Sequence, residues 1–318
     1  MRYLFLDPIT PRPYTEASLL SPGLGGTEAT CIRVAEALGD SLVMQHCRTQ
    51  DEGRYLRPSW GVDAERIVVL RCARTALAAR QHHKLRPIYL WMHDLVRRAD
   101  AELVGKLEAA DIELILVSEY HRLQLVEAVK QWCPELVKWP RMRVIHNPIA
   151  DDLNPDNTQV MNNKLVFFSS PHKGLVQTLD AFQAIKRFKQ DTELYIANPG
   201  YLPTPELDTP GVHVVGALPH AEALQHVRQA SFVLYPNHVF PETFGLVFAE
   251  ANAVGTPVLT HALGAAREVL GNPAQLIDTR NFNLLVDTAV HWLEGGRPVV
   301  GPNEAFRMHK VRALWATL

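Results

Sequence analysis

Two glutamates eight positions apart, Glu242 and Glu250, stand in the mostly apolar stretch PETFGLVFAEANAVGTPV at residues 241–258. Leu246, Val247, Ala249 and Ala253 form a helical pattern, and Pro241 is compatible with its start. On one helix the two carboxylates lie about 12 Å apart. That is too far to share a proton, so the pair suits hydrogen bonds from two separate hydroxyl-bearing groups. Backbone N–H groups around Thr243, Phe244 and Gly245 would then sit at the positive end of the helix, which suits phosphate or sugar oxygens. Gly245 permits close approach by a ligand. A sugar nucleotide carries matching groups at its two ends, the sugar hydroxyls and the ribose diol. For either glutamate alone, a first-turn acid favourable to the helix dipole or a solvent-facing side chain is the simpler account.

Apolar runs of strand length alternate with helix-period segments and supply the frame for these residues. YLFLD (3–7), LVMQHC (42–47), IVVLRC (67–72), IYLWMH (88–93), LILVS (114–118) and RVIHN (143–147) read as strands buried on both faces. Amphipathic helices are predicted at 27–38, 100–110 and 119–132. The Pro-, Asn- and Asp-rich segment 148–164 reads as a linker, after which KLVFFSS, ELYIAN, VHVVGA, SFVLYP and PVLTHA resume the series. The pattern predicts an α/β protein of two doubly wound, Rossmann-like parallel-sheet domains, residues 1–150 and 151–318, facing a cleft with ligands at the carboxyl ends of the strands.

The whole composition narrows the class. A chain of 318 residues, 47% hydrophobic and 21% charged, is long enough for two folded domains. A net charge of −2 argues against a dedicated nucleic-acid binder. Eight basic residues between Arg66 and Arg98, opposed only by Asp94, read as a solvated face, with an anionic acceptor or membrane surface as the other fit. Cys31, Cys47, Cys72 and Cys133 lack metal-ligand spacing and read as buried free thiols. The short apolar stretch at the start and the lack of a spanning run lead us to expect a cytoplasmic protein, with membrane association left open at residues 66–98.

The stretch from Glu242 to Glu250, with its Gly-Thr-Pro-Val and the trailing GAAREV containing Glu268, resembles the E-x7-E signature of retaining GT-B glycosyltransferases, particularly glycosyltransferase family 4. The resemblance implies that Glu242 holds donor-sugar hydroxyls, that the backbone from Thr243 through Phe244 and Gly245 to Leu246 holds sugar or phosphate oxygens, and that Glu250 holds the ribose. FFSSPHKGLVQTLDAF is similar to the family segment that grips the diphosphate, with Lys173 as the cation. The family form has Gly-Arg where Ser169 and Ser170 stand, so serine hydroxyls or a basic residue of the first domain would substitute for the second cation. GLGGTEATCIRVAEAL resembles the family's glycine loop, with Gly25 and Gly26 facing phosphate or acceptor. His93, ending IYLWMH, matches the histidine that approaches the donor sugar. Ser118 and Asn147 match weaker positions.

Lys173, Glu242 and His93 are therefore the expected catalytic residues. Gly25, Gly26, Ser169, Ser170, Thr243, Phe244, Gly245, Leu246 and Glu250 join Lys173 in the expected donor site. No D-x-D triplet is present, so a metal-independent reaction without a cofactor is expected, with a nucleotide-diphosphate sugar as donor and a glycan, lipid or other hydroxyl compound as acceptor. An epimerase or phosphorylase on the same fold, and a non-catalytic sugar-nucleotide-binding subunit, remain the alternatives.

Overall fold

The computed structural model describes residues 2–200, 202–203 and 205–318; Met1, Tyr201 and Thr204 lie outside the described residues. Two units are present: Met1–Thr15 with Thr27–Pro148 and Met308–Leu318, and Glu16–Gly26 with Ile149–Arg307.

The first unit runs β1 (Tyr3–Asp7), α1 (Gly26–Leu38), β2 (Ser41–Gln45), β3 (Tyr55–Leu56), β4 (Arg66–Leu70), α2 (Ala73–His82), β5 (Ile88–Met92), α3 (Arg98–Ala101), α4 (Val104–Ala109), β6 (Ile112–Leu116), α5 (Glu119–Trp132) and β7 (Met142–Val144). Its sheet is ordered β3-β2-β1-β4-β5-β6-β7, with every pairing parallel. Tyr3 faces Ser41 on one side and Arg66 on the other. All residues of β1, β5 and β6 are buried, as strands covered on both faces by crossover helices must be. Chain order reverses between β1 and β4, which defines a crevice at their carboxyl ends.

The second unit contributes β8 (Met161–Phe168), α6 (Leu175–Phe188), β9 (Glu193–Ala197), β10 (Val212–Gly216), α7 (His220–Gln229), β11 (Ala230–Tyr235), α8 (Leu246–Ala253), β12 (Val258–His261), α9 (Ala266–Val269), β13 (Leu276–Ile277) and α10 (Phe282–His291). Its parallel sheet is ordered β10-β9-β8-β11-β12-β13, and the reversal falls between β8 and β11. The loops leaving these two neighbouring strands therefore meet, although far apart in sequence.

Several sequence expectations are modified. The two-residue strands β3 and β13 are too short to leave an apolar run. β7, within the run expected to be buried on both faces, lies at a sheet edge and is only half-buried along its length. The helix expected at 100–110 breaks between Ala101 and Val104 into two short helices. The first part of the expected linker is fastened into the second unit. Ile149 bridges Arg307, and the Arg307 guanidinium donates to the carbonyls of Ala150 and Leu153 at 3.1 and 2.9 Å. Relative to a division at 150/151, residues 16–26 join the second unit and 308–318 the first.

The last helix, α11 (Met308–Trp315), completes the first unit's core. Trp315 is fully buried, its ring 4.7 Å from Trp91 and 5.8 Å from Phe5, and its carbonyl accepts from the Tyr3 hydroxyl at 2.6 Å. Trp315→Ala is expected to destabilise this unit by about 3–5 kcal/mol, measured by urea unfolding. An unchanged midpoint would contradict this packing role.

Candidate active site

Glu242 lies in the loop between β11 and α8, not on the helix. Gly245 adopts φ 84° and caps α8, which starts at Leu246. This left-handed residue stops any helix running on from Pro241, so Thr243 and Phe244 are loop residues and the single-helix spacing of the two glutamates does not apply. A Cβ at Gly245 would fall 2.5 Å from the Phe248 ring, so the turn requires glycine. The leading N–H groups of α8 have no acceptors within the helix.

The Glu242 side chain is nearly buried and held from two sides. Lys173 Nζ donates to Oε2 at 2.9 Å, and the Tyr235 hydroxyl donates to Oε1 at 2.8 Å. Lys173 occupies a short 3-10 turn, Pro171–Lys173, between β8 and α6. Its ammonium also lies 5.5 Å from the Phe240 ring centre. Tyr235 ends β11. Burial first, and then the Glu242 charge, raise its phenol well above the usual range, so it remains a donor. Ser169 and Ser170 follow β8 and are buried. Ser170 Oγ hydrogen-bonds His172 Nδ1 at 3.0 Å, and burial followed by the Lys173 charge lowers the His172 pKa.

The backbone of Glu242 is fixed by the loop after β12. Its carbonyl accepts from Ala265 N–H at 2.9 Å. Gly264 has φ 64°, and a Cβ there would meet the Glu242 carbonyl oxygen at 2.6 Å and nitrogen at 2.7 Å. Glu250 is buried on α8 rather than solvent-facing, and its Oε1 accepts from His220 Nε2 at 2.8 Å at the start of α7. Gly26, the first residue of α1, groups with this second unit although the rest of α1 belongs to the first, and a Cβ on it would lie 3.3 Å from Leu246 Cδ1; Gly25 precedes it in the same segment. The structure thus groups Lys173 with Glu242, Gly26 with Leu246, and Glu250 with His220.

His93 belongs to the first unit, just beyond β5. It is buried, with its ring 4.5 Å from Trp91. Burial, then Arg71 and His121, lower its pKa well below the usual value and keep the imidazole neutral. Arg71, just beyond β4, donates to Asp7 at 3.2 Å and Glu28 at 2.9 Å and has a strained φ of 60°. Ser118 caps α5 by accepting from His121 N–H at 2.9 Å; Asn147 is buried. The basic stretch is largely engaged inside the unit. Arg80 donates to five carbonyls, Arg86 pairs with Asp63, and Arg98 pairs with Glu102. All four cysteines are free, but only Cys31 is fully buried. Sequence reasoning missed Tyr235, His220, Gly264 and Arg71. Tyr235 had a usable signal as a polar-tipped residue ending an apolar strand beside the glutamate loop, whereas the others depend on distant partners.

Two doubly wound parallel-sheet units define the GT-B architecture of glycosyltransferases. Residues 162–294 match the family model described as glycosyl transferases group 1, a segment that contains Lys173, Glu242 and Glu250. The chain is 30% identical over 129 residues to a phosphatidyl-myo-inositol mannosyltransferase of Mycobacterium leprae (strain TN), a match covering 39% of this chain and 34% of that protein. It therefore spans about a third of that curated relative's length. A glycosyltransferase structure from Rickettsia africae ESF-5 superposes with a TM-score of 0.65 at 12% identity, covering 99% of this chain and 97% of the other. AviGT4, a glycosyltransferase involved in avilamycin A biosynthesis, gives 0.62 at 15% identity, with 99% and 96% covered.

Gly264→Ala is expected to displace the Glu242 loop and cost on the order of 1–3 kcal/mol, measured by chemical denaturation; a neutral result would contradict the close approach. His121 supplies a pH test. Burial lowers its pKa to about 4, although its hydrogen bond to the Asp94 carbonyl opposes the shift. From pH ~6.5, the ordinary histidine value, down to about 4, the unfolded chain binds a proton that the native chain refuses. Stability contributed by neutral His121 should fall through that window. His121→Gln should flatten the decline in denaturation midpoints between pH 7 and 4.5.

Proposed function

We propose that this chain is a retaining, metal-independent glycosyltransferase that moves a sugar from a nucleotide-diphosphate sugar to an acceptor hydroxyl. The observation that carries this reading is the Lys173–Glu242 pair, 2.9 Å apart, inside the segment matching glycosyl transferases group 1. The second unit is assigned the donor and the first the acceptor. Glu242 receives sugar hydroxyls, Glu250 receives the ribose diol, and the backbone from Thr243 to Leu246 with Gly25 and Gly26 approaches sugar or phosphate oxygens. Ser169 and Ser170 contribute hydroxyls beside Lys173. Neutral His93 offers a hydrogen bond to a sugar hydroxyl.

In the proposed reaction the anomeric carbon–phosphate oxygen bond breaks as the acceptor oxygen bonds to the same face of that carbon. The acceptor proton passes to the departing phosphate, and the nucleoside diphosphate leaves. Lys173 and the first turn of α8 stabilise the charge developing on the leaving group. Glu242 positions the sugar rather than attacking it. No added cofactor or metal is assigned to the reaction.

Among the described residues no helix is long and apolar enough to cross a membrane. The proposed setting is cytoplasmic. The internal pairing of Arg80, Arg86 and Arg98 favours a solvated basic face over a peripheral membrane contact.

A panel of UDP-, GDP- and ADP-sugars should contain a donor that raises the melting temperature, since binding at a hundred times Kd adds about 2.7 kcal/mol to stability. With that donor and a panel of hydroxyl acceptors, wild type should release nucleoside diphosphate and form a glycoside with the donor's anomeric configuration, read by proton NMR. Glu242→Ala should abolish transfer. An inverted product would overturn the retaining assignment. Full activity in Glu242→Ala would overturn its role, and donor binding without turnover would favour a non-catalytic subunit.

A further inference from the structure

We propose that Tyr235 is a positioning residue of the donor-sugar subsite, its phenol fixing the Glu242 carboxylate in the orientation that receives sugar hydroxyls. This inference rests on the glycosyltransferase reading and extends it to a residue outside the E-x7-E pattern. The hydroxyl donates to Glu242 Oε1 at 2.8 Å while Lys173 holds Oε2 at 2.9 Å. Each carboxylate oxygen therefore has a separate tether, from β11 on one side and the loop after β8 on the other.

A carboxylate oxygen can accept more than one hydrogen bond, so both tethers are compatible with a sugar hydroxyl on the same group. The tethers set the directions left for that hydroxyl. Lys173 alone would not define them, because an ammonium on a flexible four-carbon stem is a mobile point charge. The Tyr235 ring is immobilised between Phe167, stacked at 5.6 Å, and Phe248, edge-on at 5.3 Å, and is almost completely buried. Its oxygen is consequently a fixed reference point. Gly264 and Ala265 fix the backbone of Glu242 from the other end. The side chain is thus determined at both root and tip.

Tyr235→Phe removes only the hydroxyl and keeps the ring between its neighbours. Affinity for the donor found with the UDP-, GDP- and ADP-sugar panel is compared by calorimetry with affinity for the corresponding nucleoside diphosphate. The ratio isolates recognition of the sugar. Tyr235→Phe should weaken nucleotide-sugar binding roughly 10-fold, the size of one lost hydrogen bond to a charged group, while leaving nucleoside-diphosphate binding unchanged. In a Glu242→Ala background the same substitution should have no further effect on the ratio, because the residue acts through the missing carboxylate.

An equal loss in both backgrounds, or a lowered melting temperature with an unchanged ratio, would overturn the positioning role. An unchanged ratio in Tyr235→Phe beside a large loss in Glu242→Ala would overturn it while leaving the proposed function intact. A wild-type chain that binds none of the nucleotide sugars would overturn the proposed function and this role with it.

Discussion

A nearly buried carboxylate needs partners, and in the second unit this requirement organises the loops around Glu242. Its charge is met by Lys173 and its other oxygen by Tyr235. An ion pair this sheltered is not an unconditional source of stability, since desolvation offsets much of its attraction. Removing one partner, however, commonly costs about 3–5 kcal/mol because the other charge is stranded. The pair therefore supports a defined arrangement of the loops after β8 and β11. Strand order makes the meeting possible: these strands are neighbours at the reversal of the sheet, so residues 69 apart in sequence share one hydrogen bond.

Much of the fold was legible because a doubly wound sheet writes itself into the chain as short, continuous apolar runs. YLFLD corresponds to β1 and EYHRLQLVEAVKQW to α5. β3 and β13 were not legible because two residues carry no periodicity. The position of Ile149 was obscured because its neighbours resemble linker residues, while its anchor, Arg307, lies more than 150 positions away.

The local setting of the site was harder to read. Glu242 and Glu250 stood out as acids in an apolar segment, but the same pattern suggested one helix carrying both. Gly245 changes that geometry through its backbone angle, which composition and spacing do not reveal. His220 had no distinguishing neighbours in sequence; its significance arises when α7 brings it to Glu250. The Arg66–Arg98 stretch read first as a solvated face, a reading that does not reveal that Arg80 ties several backbone carbonyls together.

Helix α11 gives the first unit an unusual order of construction. The residues that make its sheet precede Ile149–Arg307, the main segment of the second unit, yet Trp315, which closes its aromatic cluster, follows that segment. During synthesis on the ribosome, the early strands must wait with an open apolar seam until Ile149–Arg307 and the helix behind it have been translated. Completion of that seam is thereby coupled in time to production of the second unit, and a chain arrested before residue 315 leaves the first unit with exposed aromatic surface.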